Sequence, residues 1–377
     1  MRGYIRKRSN NSYAIQISTG WDPETNKYQY YRETVKGTKK DAEKRLSELL
    51  HQKDIGSLVL SKRITFAEYL NQWIRDYAKA KLSQRSYDRY KDVLERCIIP
   101  VLGNIQIAQL SPNQLQRLYS SWLNKGLSPA TVLYHHHVIH TALQSAVKWQ
   151  LVGRNVSDAV EIPKERRPEM QTWNEDEITQ FLSYVKDSPY YALFYTALFT
   201  GMRRGELLAL QWPDIDLLTG QISVNRSIHQ LKDNSFTYAQ PKSERSRRTI
   251  ALTPSNIHIL REYQEKQILD RAYLGIKTDS ILVFSTIQGE PIRPNTVTRA
   301  WHTLAQRAGV KVIRLHDARH THASILLKQG IHPKVVQERL GHASIEMTLD
   351  LYSHVAPGMQ EAAAANFDKM FNKLTSN

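Results

Sequence analysis

The sequence predicts a multidomain protein that is mainly α-helical and carries small β-sheets. Its 377 residues exceed the ~100–200 residues of an ordinary domain. The apolar periodicity changes from about 2 near the N-terminus to about 3.6 further on. A polar stretch with two prolines separates helical patterns between Glu161 and Met170. We therefore expect an α+β module at residues 1–58, a helical domain at 63–160, and a mixed, mainly α domain at 168–377.

The first module is predicted from an alternating pattern followed by a helix. Apolar and polar residues alternate over Tyr13–Ile17, turn-forming residues follow at Asp22–Asn26, and a second alternating run covers Tyr28–Arg32. This pattern is typical of a small antiparallel sheet. From Thr38, a suitable N-cap, apolar residues recur at helical spacing to near Gly56. Interleaved basic and aromatic residues favour a DNA-binding module over a minimal structural one.

The second segment has helical spacing throughout, with short breaks that predict four or five helices. At one of these breaks Ser128 is suited to cap a helix and Pro129 to occupy its first turn. That helix carries His135–His137, which point in different directions, and His140, which could share a face with His136. Because carboxylate and cysteine companions are missing, we interpret these histidines as solvated or DNA-facing rather than as zinc ligands.

The third segment is predicted to be mainly α-helical with a small inserted sheet. Its most apolar stretch, Tyr190–Met202, is expected to form a buried helix. Three short strands separated by turn-forming residues are predicted at Gln221–Gln230, Phe236–Gln240 and Arg247–Leu252.

Composition limits the function classes. Lys and Arg number 52 against 36 for Asp and Glu, a formal net charge of +16, which indicates a polyanionic partner. A basic surface kept for solubility or for an anionic membrane stays open on charge alone. The single Cys97 excludes an internal disulfide and a paired-cysteine zinc site, and we interpret it as a packed thiol. With no signal-peptide pattern and no run of ~18 apolar residues, we expect a soluble cytoplasmic protein.

Two segments of the third domain carry side chains suited to binding an anion. In Thr200–Glu206, a helix would place Arg203 and Glu206 on one face, where the carboxylate can hold the guanidinium. In Pro241–Ile250, Lys242 lies at the tip of a turn between two strands and three arginines follow. Taken alone, the first could be a surface ion pair and the second a solvated basic hairpin.

Two further segments follow. Leu315–Ala323 opens a helix with His316, Arg319 and His320 on one side, which favours a phosphate-sized anion. A metal site made of His316, His320 and His322 lacks carboxylates and the residue order of a zinc protease. In the second segment, Pro333 begins a helix, Gly341 ends it, Ser344 is placed to cap the next, and Tyr352 lies two turns later.

In their order and spacing these segments resemble the active-site motifs of the tyrosine recombinases, the lambda-type phage integrase family. From Arg203 it is 39 residues to Lys242, then 74 to His316, 3 to Arg319, 23 to His342 and 10 to Tyr352. The resemblance is strong over about residues 168–357. The helical domain looks like the family's core-site-binding domain, and the first module resembles the arm-binding domains of integrases from phages and conjugative transposons.

The resemblance implies that the protein cleaves and rejoins DNA through a 3′-phosphotyrosyl intermediate and a Holliday junction, integrating or excising a mobile element. It implies six catalytic residues, with Tyr352 as the nucleophile: Arg203, Lys242, His316, Arg319, His342 and Tyr352. Glu206 and His320 match supporting positions. By resemblance Lys242 protonates the leaving 5′-oxygen, His316 assists proton removal from Tyr352, and His342 hydrogen-bonds the phosphate. No metal or other cofactor is expected.

The implied partners are double-stranded DNA at core and arm attachment sites and three further copies of the chain, with an excision factor and a host DNA-bending protein as possible additions. The setting implied is the nucleoid of a bacterial host cell. We expect the tail Ala356–Asn377 to form an amphipathic helix that docks on a neighbouring protomer.

The alternative functions are those of a Xer-like resolvase, a type IB topoisomerase, and a non-catalytic DNA-binding relative. The extra N-terminal module favours an integrase, and retention of Tyr352 with its partners favours an active enzyme.

Overall fold

The computed structural model describes residues 3–22, 26–54, 64–164, 170–239, 247–349 and 367. The chain divides into two compact units, residues 1–167 and residues 168–377. Within the described ranges, no helix is long and apolar enough to cross a lipid bilayer.

The first unit begins with the predicted sheet and helix. Three antiparallel strands in the order β1-β2-β3 are followed by one helix: β1 Tyr4–Ser9, β2 Ser12–Asp22, β3 Lys27–Lys36 and α1 Lys39–Asp54. The helix starts where the sequence predicts, because Thr38 Oγ1 accepts from the Asp41 amide at 3.3 Å and Asp41 Oδ2 accepts from the Thr38 amide at 2.8 Å. Ile15, Ile17 and Leu49 are buried in the core of this module.

The rest of the first unit is a helical bundle, as predicted. Two of its helices contain a π-helical turn: α2 runs through Phe66–Trp73, Ile74–Ala78 and Lys79–Lys81, and α3 through Gln84–Val93, Leu94–Ile98 and Ile99–Leu102. Two more helices and two 3₁₀ turns complete it: α4 Pro112–Asn124, α5 Pro129–Lys148, Ile107–Gln109 and Val156–Ala159. Ser128 caps α5 by accepting from the Thr131 amide at 3.2 Å, as predicted. Cys97 is partly buried against the core of the bundle, in agreement with a packed thiol.

The histidines of α5 are not all exposed, so that prediction is wrong for two of them. His135 and His136 are 6% and 4% exposed. The His135 ring lies 4.8 Å from the Trp122 ring, and His136 Nδ1 lies 3.0 Å from the Tyr119 hydroxyl. The helix is packed on a wide face, so two adjacent positions both point inward. His140, by contrast, pairs with Asp158 at 3.0 Å in a partly exposed position.

The second unit is mainly helical with two small sheets. Its helices are α6 Glu175–Tyr184, α7 Tyr191–Thr200, α8 Arg204–Leu207, α9 Pro254–Tyr273, α10 Pro294–Arg307, α11 Asp317–Lys328 and α12 Pro333–Leu340. Its strands are β4 Ile215–Asp216, β5 Gln221–Val224, β6 Ser227–Gln230, β7 Phe236–Ala239 and β8 Arg248–Ala251. The stretch predicted to be a buried helix is α7, whose side chains form part of the core with Phe181 and Trp301.

The prediction of one strand over Gln221–Gln230 is wrong. The segment forms two strands of different sheets, β5 in the order β4-β5-β8 and β6 paired with β7. The break falls at Asn225 and Arg226, whose side chains both donate to the carboxylate of the buried Asp214. The chain turns there because these two polar residues point towards that carboxylate.

Candidate active site

Two helices of the second unit end at glycines in the left-handed conformation. Gly201 (φ 64°) ends α7, and Gly341 (φ 67°) ends α12. The last turn of a helix leaves carbonyl oxygens without backbone partners, and its partial negative charge favours cations. Both glycines are tightly enclosed, because a Cβ at Gly201 would lie 2.5 Å from Leu340 Cδ2 and one at Gly341 would lie 3.1 Å from Arg248 Cδ.

Arg319, predicted as a catalytic residue, bridges these two helix ends. It lies in the first turn of α11 and is 3% exposed. Its Nη1 donates to the Gly201 carbonyl at 2.9 Å and its Nη2 to the Leu340 carbonyl at 2.6 Å. Burial and the neighbouring charges of Arg203 and Arg248 lower the pKa of Arg319 to about 9. The guanidinium therefore stays charged at neutral pH.

Arg203 is held in the same way from the opposite side. Its Nη1 donates to Glu206 Oε1 at 2.9 Å and its Nη2 to the Gly341 carbonyl at 3.1 Å. The predicted pairing of Arg203 with Glu206 is therefore confirmed. The helix begins at Arg204 rather than at Gly201, so Arg203 is its N-cap residue. The Arg203 side chain is 36% exposed, which leaves part of the guanidinium open to a ligand.

Glu206 is shared between two arginines. Besides Arg203, its Oε2 accepts from Arg248 Nη2 at 2.8 Å, and the side chains of Glu206 and Arg248 are only 7% and 5% exposed. Burial alone would raise the pKa of Glu206, but hydrogen bonds and charge from Arg248 and Arg203 outweigh it and hold the pKa below its ordinary value. Glu206 is therefore ionised and fixes both guanidinium groups.

His342 follows directly after the end of α12 and is 4% exposed. Its Nδ1 lies 2.9 Å from the hydroxyl oxygen of Thr348, which fixes the plane of the ring. Burial, followed by the charges of Arg319 and Arg203, lowers the pKa of His342 to about 3. The ring is thus a neutral hydrogen-bonding group at pH 7.

His316 and His320 lie on the same side of α11, as predicted, with ring centroids 5.1 Å apart. The His316 side chain is partly open to solvent. Burial of the rest of the ring, followed by the charges of His320 and Arg319, lowers the pKa of His316 to about 4. The buried Nδ1 of His320 has no hydrogen-bond partner among the described residues. His316 therefore offers a neutral imidazole that can accept a proton.

The structure brings together six of the eight predicted site residues: Arg203, Glu206, His316, Arg319, His320 and His342. Lys242, Tyr352 and the predicted tail helix, apart from Phe367, lie outside the described residues. Ser344 was predicted to cap the helix after Gly341. The Leu349 amide donates to the Ile345 carbonyl, so the N-cap of the last described helical turn is Ile345, one residue later than predicted.

Three residues that help to build the site were missed from the sequence: Arg248, His322 and Arg339. Arg248 belongs to the basic run after Lys242, but nothing in that run distinguishes it from its neighbours. A strand pattern could have shown that Arg248 and Ile250 share the inward side of β8. Both ring nitrogens of His322 have other partners, the Leu198 carbonyl of α7 and Arg339 Nε, so His322 does not share a metal ion with His316.

The site gathers cationic and neutral hydrogen-bonding groups in one place. Arg203 and Arg319 are preorganised by backbone carbonyls, and His342 and His316 are uncharged at neutral pH. Such a set can bind an oxyanion and stabilise further negative charge on it.

Two protein-family models match parts of the chain. The model of the phage integrase family matches residues 171–359, half of the chain, and that of the phage integrase N-terminal SAM-like domain matches residues 65–123. The ICEBs1 integrase of Bacillus subtilis is 27% identical over 370 residues, covering 97% of this chain and 99% of its own length. A XerC-like tyrosine recombinase of Caldanaerobacter subterraneus is 27% identical over 384 residues, covering 97% and 98%.

Solved structures share the fold. The Tn1549 transposon integrase in complex with a circular intermediate DNA superposes with a TM-score of 0.69 at 19% identity, covering 81% of this chain and 99% of that one. A lambda integrase tetramer bound to a Holliday junction gives 0.59 at 18% identity, covering 92% and 94%. The multidomain, mainly helical fold is confirmed, and with the family match over half its length the chain belongs to the phage integrase family of tyrosine recombinases.

Proposed function

We propose that the protein is a site-specific DNA integrase that cleaves and rejoins strands through a covalent bond between Tyr352 and a 3′-phosphate. The observation that carries the proposal is the pair of guanidinium groups, Arg203 and Arg319, held by the carbonyls of Gly201, Leu340 and Gly341 next to the neutral ring of His342.

The reaction needs no outside energy source. The Tyr352 oxygen attacks the scissile phosphorus, the bond to the 5′-oxygen breaks, and that oxygen leaves with a proton from Lys242. The phosphotyrosyl ester keeps the energy of the broken bond, so a 5′-hydroxyl from another strand can reverse the step and join a new pair of ends.

The arginines supply the electrostatic stabilisation. Each can donate to the non-bridging oxygens, whose negative charge grows in the transition state, and such donors contribute ~3–4 kcal/mol each. Tyrosine has a pKa of ~10 and is a weak nucleophile at neutral pH, so removal of its proton needs assistance. The neutral His316 is suited to that task, and His342 to a hydrogen bond with the phosphate.

We further propose that residues 1–58 bind arm-type DNA sites and that residues 63–160 contribute to core-site binding. The β-sheet face opposite Ile15 and Ile17 exposes aromatic and basic side chains in neighbouring strand positions. Tyr4, Trp21, Tyr28 and Tyr30 are 46–63% exposed, and Arg6 and Arg32 lie on the same face. Flat rings and guanidinium groups on one sheet suit a DNA surface.

The assembly we propose is four copies of the chain on two DNA sites, which exchange strands in pairs through a Holliday junction. The solved lambda integrase is a tetramer bound to a Holliday junction, and the solved Tn1549 integrase is in complex with a circular intermediate DNA. Docking of the tail on a neighbouring protomer, an excision factor and a host DNA-bending protein belong to the same proposal, as does action at the nucleoid of a bacterial cell.

A nicked suicide substrate tests the chemistry. The full-length protein is incubated with nicked DNA that carries the junction of the circularised element, and denaturing gels reveal any covalent adduct. We expect an adduct with the wild type and none with Tyr352→Phe. An adduct that survives Tyr352→Phe contradicts the assignment of the nucleophile, and sequence-independent relaxation of supercoiled plasmid would indicate a topoisomerase instead.

Removal of residues 1–58 tests the domain assignment. We expect binding to arm sequences to be lost while core-site binding persists in a mobility-shift titration. Wild-type binding should weaken steeply with added salt, because phosphate contacts release counterions. Loss of both kinds of binding in the truncated protein contradicts the division.

A further inference from the structure

Two side chains that the proposed reaction does not use, the buried His322 and the half-buried Arg339, join the helices that hold Arg319. His322 lies one turn beyond Arg319 on α11 and is 9% exposed. Its Nδ1 lies 2.9 Å from the Leu198 carbonyl in the last turn of α7, and its Nε2 lies 3.0 Å from Arg339 Nε in the last turn of α12.

The contact with Arg339 determines which nitrogen of His322 carries the proton. A guanidinium Nε can only donate, so His322 Nε2 must accept. The proton of the neutral ring is therefore on Nδ1, which donates to the Leu198 carbonyl. Burial and the charge of Arg339 lower the pKa of His322 to about 3, so the ring stays in this single neutral tautomer at neutral pH.

Arg339 extends the connection in both directions. Its Nη2 donates to the Phe199 carbonyl at 3.1 Å, so His322 and Arg339 together contact two carbonyls in the last turn of α7. The Arg339 carbonyl accepts from Arg248 Nε at 2.8 Å. The next carbonyl along the chain, that of Leu340, accepts from Arg319.

We propose that His322 and Arg339 are positioning residues that set the distance between the ends of α7 and α12, and thereby the orientation of the Arg319 guanidinium. Arg319 bridges the carbonyls of Gly201 and Leu340, one from each helix end. A shift of either end would tilt the guanidinium away from the scissile phosphate. This inference rests on the proposed cleavage reaction.

A purely structural role would have a different signature. Loss of packing would slow every reaction of the site equally. Loss of Arg319 orientation would slow only reactions that depend on its interaction with a charged non-bridging oxygen. A methylphosphonate, in which a methyl group replaces one such oxygen, removes that charge.

The experiment compares His322→Asn and His322→Gln in the full-length protein. The Asn amide nitrogen replaces Nδ1 and keeps the bond to Leu198 but offers Arg339 no acceptor. The Gln amide oxygen replaces Nε2 and keeps the acceptor. The matched control is His258→Asn on α9, whose side chain is 72% exposed.

Single-turnover cleavage is measured on suicide DNA with a normal or a methylphosphonate scissile group. Misplacement of a catalytic group by ~1 Å can cost ~10²-fold, so we expect His322→Asn to cleave normal DNA ~10- to 100-fold more slowly at unchanged DNA affinity. We expect His322→Gln to recover most of the wild-type rate. On the methylphosphonate the charged oxygen that Arg319 contacts is missing, so we expect the rate deficit of His322→Asn to fall below ~3-fold.

Equal deficits of His322→Asn on both substrates, or no deficit, overturn the positioning role while wild-type cleavage leaves the proposed function standing. Absence of cleavage by the wild type overturns the proposed function itself. If His322→Asn does not fold, Arg339→Lys provides the same comparison, because a lysine amine cannot reach both His322 and the Phe199 carbonyl in the same geometry.

Discussion

His136 in the helical bundle and His342 in the catalytic unit look alike in isolation. Each is 4% exposed, each has Nδ1 within 3.0 Å of a hydroxyl oxygen, and burial lowers their pKa values to about 4 and about 3. Their surroundings differ. His136 lies against the Tyr119 ring and other histidines, whereas the charges around His342 are the guanidinium groups of Arg319 and Arg203. A buried imidazole marks an anion site when held cations surround it.

The largest expected effect is on the cleavage rate, which a substitution in the catalytic unit should lower and one in the helical bundle should not. Arg319→Ala should reduce the rate of adduct formation by ~10²–10³, the value of a preorganised donor of ~3–4 kcal/mol. His136→Leu should leave the folded protein's cleavage rate unchanged and cost ~1–3 kcal/mol of stability, because the buried Tyr119 hydroxyl loses its partner. Single-turnover cleavage and urea denaturation measure the two effects. A large rate loss in His136→Leu would abolish the distinction.

The next effect compares two glycines. Gly201→Ala should destabilise the catalytic unit by ~2–4 kcal/mol, because a left-handed residue gains a Cβ that overlaps Leu340. Gly126, in the helical bundle, has φ +85°, but a Cβ added there would have no atom within 4 Å. Gly126→Ala should therefore lower the free energy of unfolding only by the ~1–2 kcal/mol that a left-handed backbone costs a residue with a Cβ. Urea unfolding of both variants checks the difference, and equal losses would show that the contact with Leu340 is unimportant.

The smallest effect is a pH dependence of stability. The pKa of His322 is about 3 when folded, below the ~6.5 of an unfolded histidine, so the unfolded chain binds a proton first as the pH falls. Stability is therefore lost below pH ~6.5, by up to ~2 kcal/mol at pH 5 from this residue. Urea midpoints at pH 7, 6 and 5 measure the loss. The stability of His322→Gln should decline less steeply as the pH falls. An equal decline in this variant and the wild type would show that His322 is not the cause.

Local signals were readable from the sequence. Thr38 and Ser128 cap helices where their side chains predict, and Arg203 pairs with Glu206 three positions later. These contacts span three residues or fewer, so chain geometry determines them. The burial of His135 and His136 was not readable, because it depends on how many neighbours pack around α5.

The roles of His322, Arg339 and Arg248 were equally hidden. Their contacts join positions far apart in the chain, such as Leu198 with His322 and Arg248 with Arg339. Their acceptors in these contacts are backbone carbonyls, which have no residue-specific signature. Only the shared fold brings those carbonyls within reach.

That the guanidinium groups of Arg203 and Arg319 rest on main-chain oxygens has a consequence for sequence drift. Every amino acid supplies a carbonyl, so the side chain does not determine these backbone contacts. The constraints that remain on residue type are the left-handed backbone of the two enclosed glycines and the Glu206 carboxylate that holds Arg203. The two arginines can therefore keep their orientation while the side chains at the other carbonyl positions diverge.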